Sequence, residues 1–399
     1  MTASYAMAAN TKFDYGAMKS AGFPPAMLPS HAFCPLGLKN HAGLEDPYAE
    51  KGASATNGYG IPIMSAQATF VPNGMVMSIY THHSAVDGGA LDTLYETWSG
   101  YVKALNGGPG EITGLLTTTV QNYDSSLGRK ALDIMACMPS GTPVPGCPEL
   151  TTVTKKSTVR PLHSSSCTVV AKVLSISANR VSATRTELGY ITNTRISTFI
   201  ALAAMMWTQV THARAPSLQQ GNYTTTTLGI AVDMRKRAGE EFAQDFMGNM
   251  ALYATTDFDV GSILDVPSPE LCYPAIASAL HKTLSSIDAN WFTKRLQYLS
   301  SVSDPSTVTQ AFIYANGPDL FMTSWQHQGP NYAWSIPGTT DSKPTSIRKP
   351  SYLSEGGIRI LPRRDEEERD YEILACLEEG EMTRLVEGLG DLVKRVVAG

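Results

Sequence analysis

The stretch from Ile61 to Gly89 constrains the fold of this chain more than any other. Two extended, largely apolar runs, IPIMSAQATFVP and GMVMSIYTHH, meet at Asn73-Gly74. Asn-Gly between two such runs is a strong short-range hairpin signal, because both residues accept positive φ cheaply. The second run ends on His82 and His83, and Ser-Ala-Val-Asp-Gly-Gly follows at once. A helix is then expected from Ala90 to about Leu105, since Leu91, Leu94, Trp98 and Val102 recur at three- and four-residue steps.

Such an arrangement limits the chemistry. Side chains alternate along a strand, so His82 and His83 point to opposite faces and only one can enter a central channel. A histidine suits a general base at neutral pH because its ordinary pKa is about 6.5. Asp87, four residues beyond His83, can fix the turn by pairing with an arginine elsewhere. Gly88 and Gly89 are expected to supply the φ > 0 geometry of a sharp strand-to-helix turn. A metal reading uses His82, His83 and Asp87 as ligands, but no further ligand stands at a recognisable spacing. A serine hydrolase is excluded, because no GxSxG elbow is present.

Composition narrows the remaining classes. With 399 residues and 43% hydrophobic content, the chain can bury a large core and has room for two domains. The net charge of −5, with no long Lys/Arg cluster, gives no nucleic-acid footprint. Six cysteines without CxxC spacing read as reduced thiols of a cytoplasmic protein. The first residues lack a basic start followed by an apolar run, so no secretory signal is expected. The most apolar stretch, Phe199 to Trp207, is about half the length that crosses a bilayer, so no membrane partner is expected.

Strands and helices are mixed without a repeat, which gives an α/β or α+β class with two lobes. Residues 1–60 show little periodicity. The first lobe is assigned to residues 1–150 and the second to 166–399. A Pro-rich connection spans roughly 121–165. Strands are expected at CTVVAKVLSI, TTTTLGIAVDMR and YEILACL. One helix is expected from Ser197 or Thr198 as N-cap to about His212. A last helix carries Met382, Leu385, Val386, Leu389, Leu392, Val393 and Val396 on one face.

With these residues in view, the sequence resembles the plant and fungal acyl-CoA-dependent acyltransferases of the BAHD family, especially the fungal branch acting on secondary metabolites. The family's HHxxxDG stands here as His82-His83-Ser-Ala-Val-Asp87-Gly88. Ile196-Ser-Thr198 through Trp207 to Ala213-Arg214 is similar to its ST…W…AR helix. Asp233-Met-Arg235 with Gly248-Asn249 is similar to its D-x-R…GN stretch. Thr323-Ser324-Trp325 resembles its TSW, and GIRILPRR a late strand. Two departures stand out. The family's DFGWG is replaced within NYAWSIPGTTDSKPTSIRKP, and the histidine lies early, which implies a shortened N-terminus.

The resemblance implies an α/β, chloramphenicol-acetyltransferase-like fold with mixed sheets and a central channel between two lobes. Acyl-CoA, acetyl-CoA above all, would reach the channel from one side and a small hydroxylated metabolite from the other. His83 would be the base and Asp87 structural support, paired with Arg235. Thr323 and Trp325 would line the channel, with Thr323 offering an oxyanion donor. Gly248-Asn249 reads as a turn, without assigned chemistry, and no CoA-contacting residue is assigned. No metal, permanent cofactor or nucleophilic Cys or Ser is required, and a monomer is expected. Two alternatives stand beside this one: a condensation-domain-like enzyme fed by carrier proteins, and a catalytically silent binding protein that keeps the channel.

Overall fold

The computed structural model describes residues 13–35, 38, 63–83, 85–107, 147–153, 161–164, 166–239, 246–349, 354–364 and 369–397. Residues 1–12, most of 36–62, the bulk of the connection at 108–146 (with Cys137) and 154–160 lie outside that set.

The hairpin forms between β1 (Met64–Val71) and β2 (Gly74–Thr81), with Met64 opposite Thr81 and Val71 opposite Gly74. That register puts the two-residue turn on Pro72-Asn73 and not on Asn73-Gly74. Proline presets the first turn position, and Asn73 takes the positive φ of 66° at the second. Gly74 is needed for another reason: a Cβ there would meet the Tyr15 ring at 2.4 Å. Tyr15 opens α1 (Tyr15–Ala21), capped by the Asp14 carboxylate on the Ala17 amide. Two turns are too short to show a period, so this helix was not foreseen.

Helix α2 (Gly88–Gly107) follows β2, and β3 (Leu150–Thr152) pairs antiparallel with β7 (Val308–Gln310). The end of the expected connection is therefore ordered and tied to the second half of the chain. Glu149 strengthens the tie by accepting both the Nε and an Nη hydrogen of Arg295, at 2.7 and 3.1 Å.

The main sheet is mixed and seven-stranded, in the order β11–β4–β10–β9–β8–β5–β6. It comprises β4 (Val169–Ile176), β5 (Thr225–Asp233), β6 (Ala251–Asp259), β8 (Leu320–Ser324), β9 (Gly357–Ile360), β10 (Tyr371–Glu378) and β11 (Val393–Val397). The β5–β8 and β8–β9 pairs are parallel; the others are antiparallel. Against the sheet pack α4 (Thr198–Ala213), α5 (Tyr273–Ser285) and α7 (Glu379–Leu389), while α3 (Ala178–Thr192) lies on α4 and α5 and α6 (Ala289–Ser301) stands at the β3–β7 side.

Helix α4 is the centre of the core. The Ser197 hydroxyl caps it by accepting from the Ile200 amide. Every residue from Ile200 to Thr211 is buried, which is what an all-round apolar helix requires. The last expected helix is cut short. It ends at Leu389, Gly390 takes φ 45°, and Val393–Val397 leaves as the edge strand β11. Apolar spacing at three and four residues did not distinguish this helix–turn–strand from one longer helix. No helix among the described residues is long and apolar enough to cross a membrane.

Arg214, at the end of α4, is fully buried. Its Nε donates to Glu381 at 3.1 Å, one Nη donates to the carbonyls of Gly317 and Asp319, and the other donates to Glu355. Burial pushes the Glu355 carboxyl up, against the attraction of Arg214. His163 Nε2 stands 3.2 Å from Glu381. The Glu381 carboxylate beside it is the main reason the His163 pKa is raised, with burial working against it. A raised folded pKa gives stability that is complete below the unfolded value near 6.5 and is lost as pH climbs through the folded one. Unfolding midpoints in urea should therefore fall as pH climbs above about 6.5. His163→Gln should flatten that segment of the pH profile.

Candidate active site

β2 delivers His82 and His83 to a tight turn. The His82 amide donates to the Ile63 carbonyl, the last link to the β1 side, and the His82 carbonyl accepts from Ala85 and Val86. His83 is exposed and His82 half-buried. The turn closes on Asp87, which is 3% exposed and caps α2: its Oδ1 accepts from the Ala90 amide at 2.9 Å.

Asp87 and Arg235 lie 148 residues apart in the chain and meet in a bidentate pair. Arg235 Nη2 donates to Oδ1 at 2.8 Å and Nη1 to Oδ2 at 3.0 Å. Oδ2 also accepts from the Met250 amide at 2.6 Å. Burial disfavours the charged carboxyl, but the Arg235 hydrogen bond and the amides of Ala90 and Met250 outweigh it and hold its pKa below the usual carboxylate range. Arg235 spends its other hydrogens on Phe246 O, Gly248 O and Asp233 Oδ1, so each of its five donors has an acceptor. A carboxylate already meeting four N–H donors has no lone pair aimed at a metal, so the ligand set His82–His83–Asp87 is not assembled here.

The glycines after Asp87 serve close approach and not positive φ, since neither appears among the left-handed residues. A Cβ on Gly89 would sit 2.6 Å from the Asp233 carboxylate and 2.7 Å from Arg235 Nη1. One on Gly88 would meet the Gln328 amide at 2.3 Å.

A cavity of about 400 Å³ opens beside this turn, lined by Asp87, Gly88, Gly89, Ser197, Thr323 and Gln328 among others. Thr323 reaches it from β8. Trp325, one residue past that strand, is half-buried, is held by its amide on the Ile360 carbonyl, and does not line the cavity. A larger cavity of about 630 Å³ runs beside β2, with Tyr15, Phe33, Tyr80, Tyr95 and Trp334 in its walls. The two share the turn at Gln328-Gly329, the first residue facing the smaller space and the second the larger. The smaller one borders Asp87 and Thr323, while neither His82 nor His83 lines it or the larger one.

The segment that departs from DFGWG is firmly seated. Asp92 on α2 accepts from the Gly329 amide at 2.9 Å and the Tyr332 hydroxyl at 3.0 Å. Trp334 packs edge-on against Trp98 and tilted against Tyr95. Sequence reasoning missed Asp92, Gln328 and Asn249. The last donates from Nδ2 to the His83 carbonyl at 2.7 Å. Only its place in the Gly-Asn match signalled it.

Breaking one partner of a buried ion pair leaves an uncompensated charge and typically costs about 3–5 kcal/mol. Asp87→Ala should lower the unfolding free energy in urea by that amount. Gly89→Ala should also destabilise, because both atoms it would strike belong to the ion-pair cluster.

Among known proteins, the chain is 21% identical to trichothecene 8-O-acetyltransferase of Fusarium sporotrichioides over 397 residues, covering 92% of this chain and 79% of the relative. It is 22% identical to tryptamine benzoyltransferase 1 of Oryza sativa subsp. japonica, covering 76% and 63%. The crystal structure of F. graminearum TRI101 with coenzyme A and deoxynivalenol superposes with a TM-score of 0.68 at 18% identity, over 96% of this chain and 79% of that one. That likeness gives the α/β, chloramphenicol-acetyltransferase-like fold. The Transferase family model matches residues 48–391, and the chain is therefore a member of that family, the BAHD transferases.

Proposed function

We propose that this protein transfers an acyl group, acetyl in the first instance, from acyl-CoA to a hydroxyl of a small secondary metabolite. His83 takes the proton from the acceptor hydroxyl as the oxygen attacks the thioester carbonyl. A new C–O bond forms, the C–S bond breaks, and CoA leaves as its thiol. Thr323 serves as the oxyanion donor, and Asp87 with Arg235 supports the turn that carries the base. The acyl group comes from a free co-substrate, so no permanent cofactor is needed. Two lobes, about 1–150 and 166–399, would flank the passage. We take the protein to act as a monomer in the cytoplasm, the location resting on cysteines read as reduced thiols.

The observation that carries this proposal is the saturated Asp87–Arg235 pair directly behind the His83 turn. It fixes the turn, and His83 itself stays exposed, outside the lining of both cavities. Two cavities meeting at one turn, beside Thr323, support approach of donor and acceptor from separate sides. Relatives named O-acetyltransferases support the alcohol, relatives named for tryptamine make an amine the second acceptor class to test, and the coenzyme A bound to F. graminearum TRI101 supports free acyl-CoA over a carrier-bound donor.

The test is thiol release from acetyl-CoA against a panel of hydroxylated fungal metabolites, deoxynivalenol included. General-base removal typically costs about 10² to 10⁴ in rate. His83→Ala should lose turnover in that range and still bind acetyl-CoA by calorimetry. Near-normal turnover of that variant would refute the base assignment, and no measurable acetyl-CoA affinity in the parent protein would favour a silent binding protein.

A further inference from the structure

We propose that Asn249 is a positioning residue for the reaction, holding the His83 backbone through its side-chain amide; this rests on the reading of His83 as the base. Asn249 Nδ2 donates to the His83 carbonyl at 2.7 Å across 166 residues of chain. Its Oδ1 accepts from the Ala251 amide at 3.1 Å, which fixes which end of the amide faces His83. Among the described residues this is the hydrogen bond that His83 makes. The ladder to the β1 side stops at the His82 amide, and the two turn bonds that follow go to the His82 carbonyl.

Asn249 is the middle of three consecutive residues that each hold one part of the site. The Gly248 carbonyl accepts from Arg235, Asn249 holds His83, and the Met250 amide donates to Asp87. The short segment leading into β6 therefore sets the base and its supporting ion pair in one frame. Both Asn249 and His83 are exposed. The bond contributes little to burial, so its service is to the placement of the turn. A displacement of about 1 Å at a reacting group can cost about 10²-fold in rate.

The experiment uses the full chain, acetyl-CoA and the best acceptor of the metabolite panel. Asn249→Ala should lower kcat by about 10- to 100-fold. KM for both substrates and the urea midpoint should stay near the parent values. Asn249→Asp keeps the shape and the Ala251 bond but turns an acceptor toward the His83 carbonyl. It should lose at least as much. In a His83→Ala background, Asn249→Ala should cost nothing more, because its effect runs through His83. Three results would overturn the proposal. One is parent-like kcat in Asn249→Ala while His83→Ala is inactive. Another is a raised KM at unchanged kcat, which would make Asn249 a substrate contact. The third is an equal loss in the His83→Ala background. An active His83→Ala enzyme would instead remove the base reading itself, and that control separates the two failures.

Discussion

The Asp87 carboxylate keeps its charge away from water because four N–H groups converge on it: two from Arg235 and one each from Ala90 and Met250. These donors come from three separate parts of the chain. The first turn of α2, the segment after β5 and the segment before β6 must all be in place before the charge is satisfied. An ion pair at such depth adds little net stability over apolar packing, but it is costly to leave half-made. Its value here is geometric. It selects one arrangement of the β2–α2 turn against the main sheet, and the His83 backbone rides on that turn.

A second buried charge cluster does the equivalent work one layer back. Arg214 joins the end of α4 to the carbonyls at 317 and 319, just ahead of β8, and to the carboxylates of Glu355 and Glu381. β8 carries Thr323 to the smaller cavity. The same guanidinium thus sets the level of the strand that carries Thr323. Asp92 and the Trp98–Trp334 contact then bind the segment after that strand to α2. The departure from DFGWG has been absorbed by other contacts: aromatic packing and one carboxylate hold the segment.

Much of this was legible in the sequence where a pattern is local. The hairpin, α4 and its cap, and strands β4, β5 and β10 follow from periods of two or of about 3.6 and from one serine. The pairing of Asp87 with Arg235 followed from resemblance and not from spacing. The misreadings arise where a distant contact decides. The turn moved to Pro72-Asn73 under its own backbone preferences, with Tyr15 packing onto Gly74. The last helix was read through Gly390 because three apolar residues beyond it kept the helical spacing. His163 carried no local signal, and Asn249 only its place in the Gly-Asn match: each matters through a partner far along the chain, and an exposed asparagine after a glycine looks like any turn.

The long sequence separations at the site have a kinetic consequence. The bonds that seat the His83 turn span 148, 163 and 166 residues. Each requires β5 and β6 to be docked against a hairpin made much earlier in the chain. Loops of that size close late, after local helices and the Asn73 turn have formed. A chain can therefore gain most of its secondary structure while the histidine still lacks its seat. On dilution from denaturant, recovery of turnover should trail recovery of helix signal, and newly made protein stays inert until its last long-range contacts close.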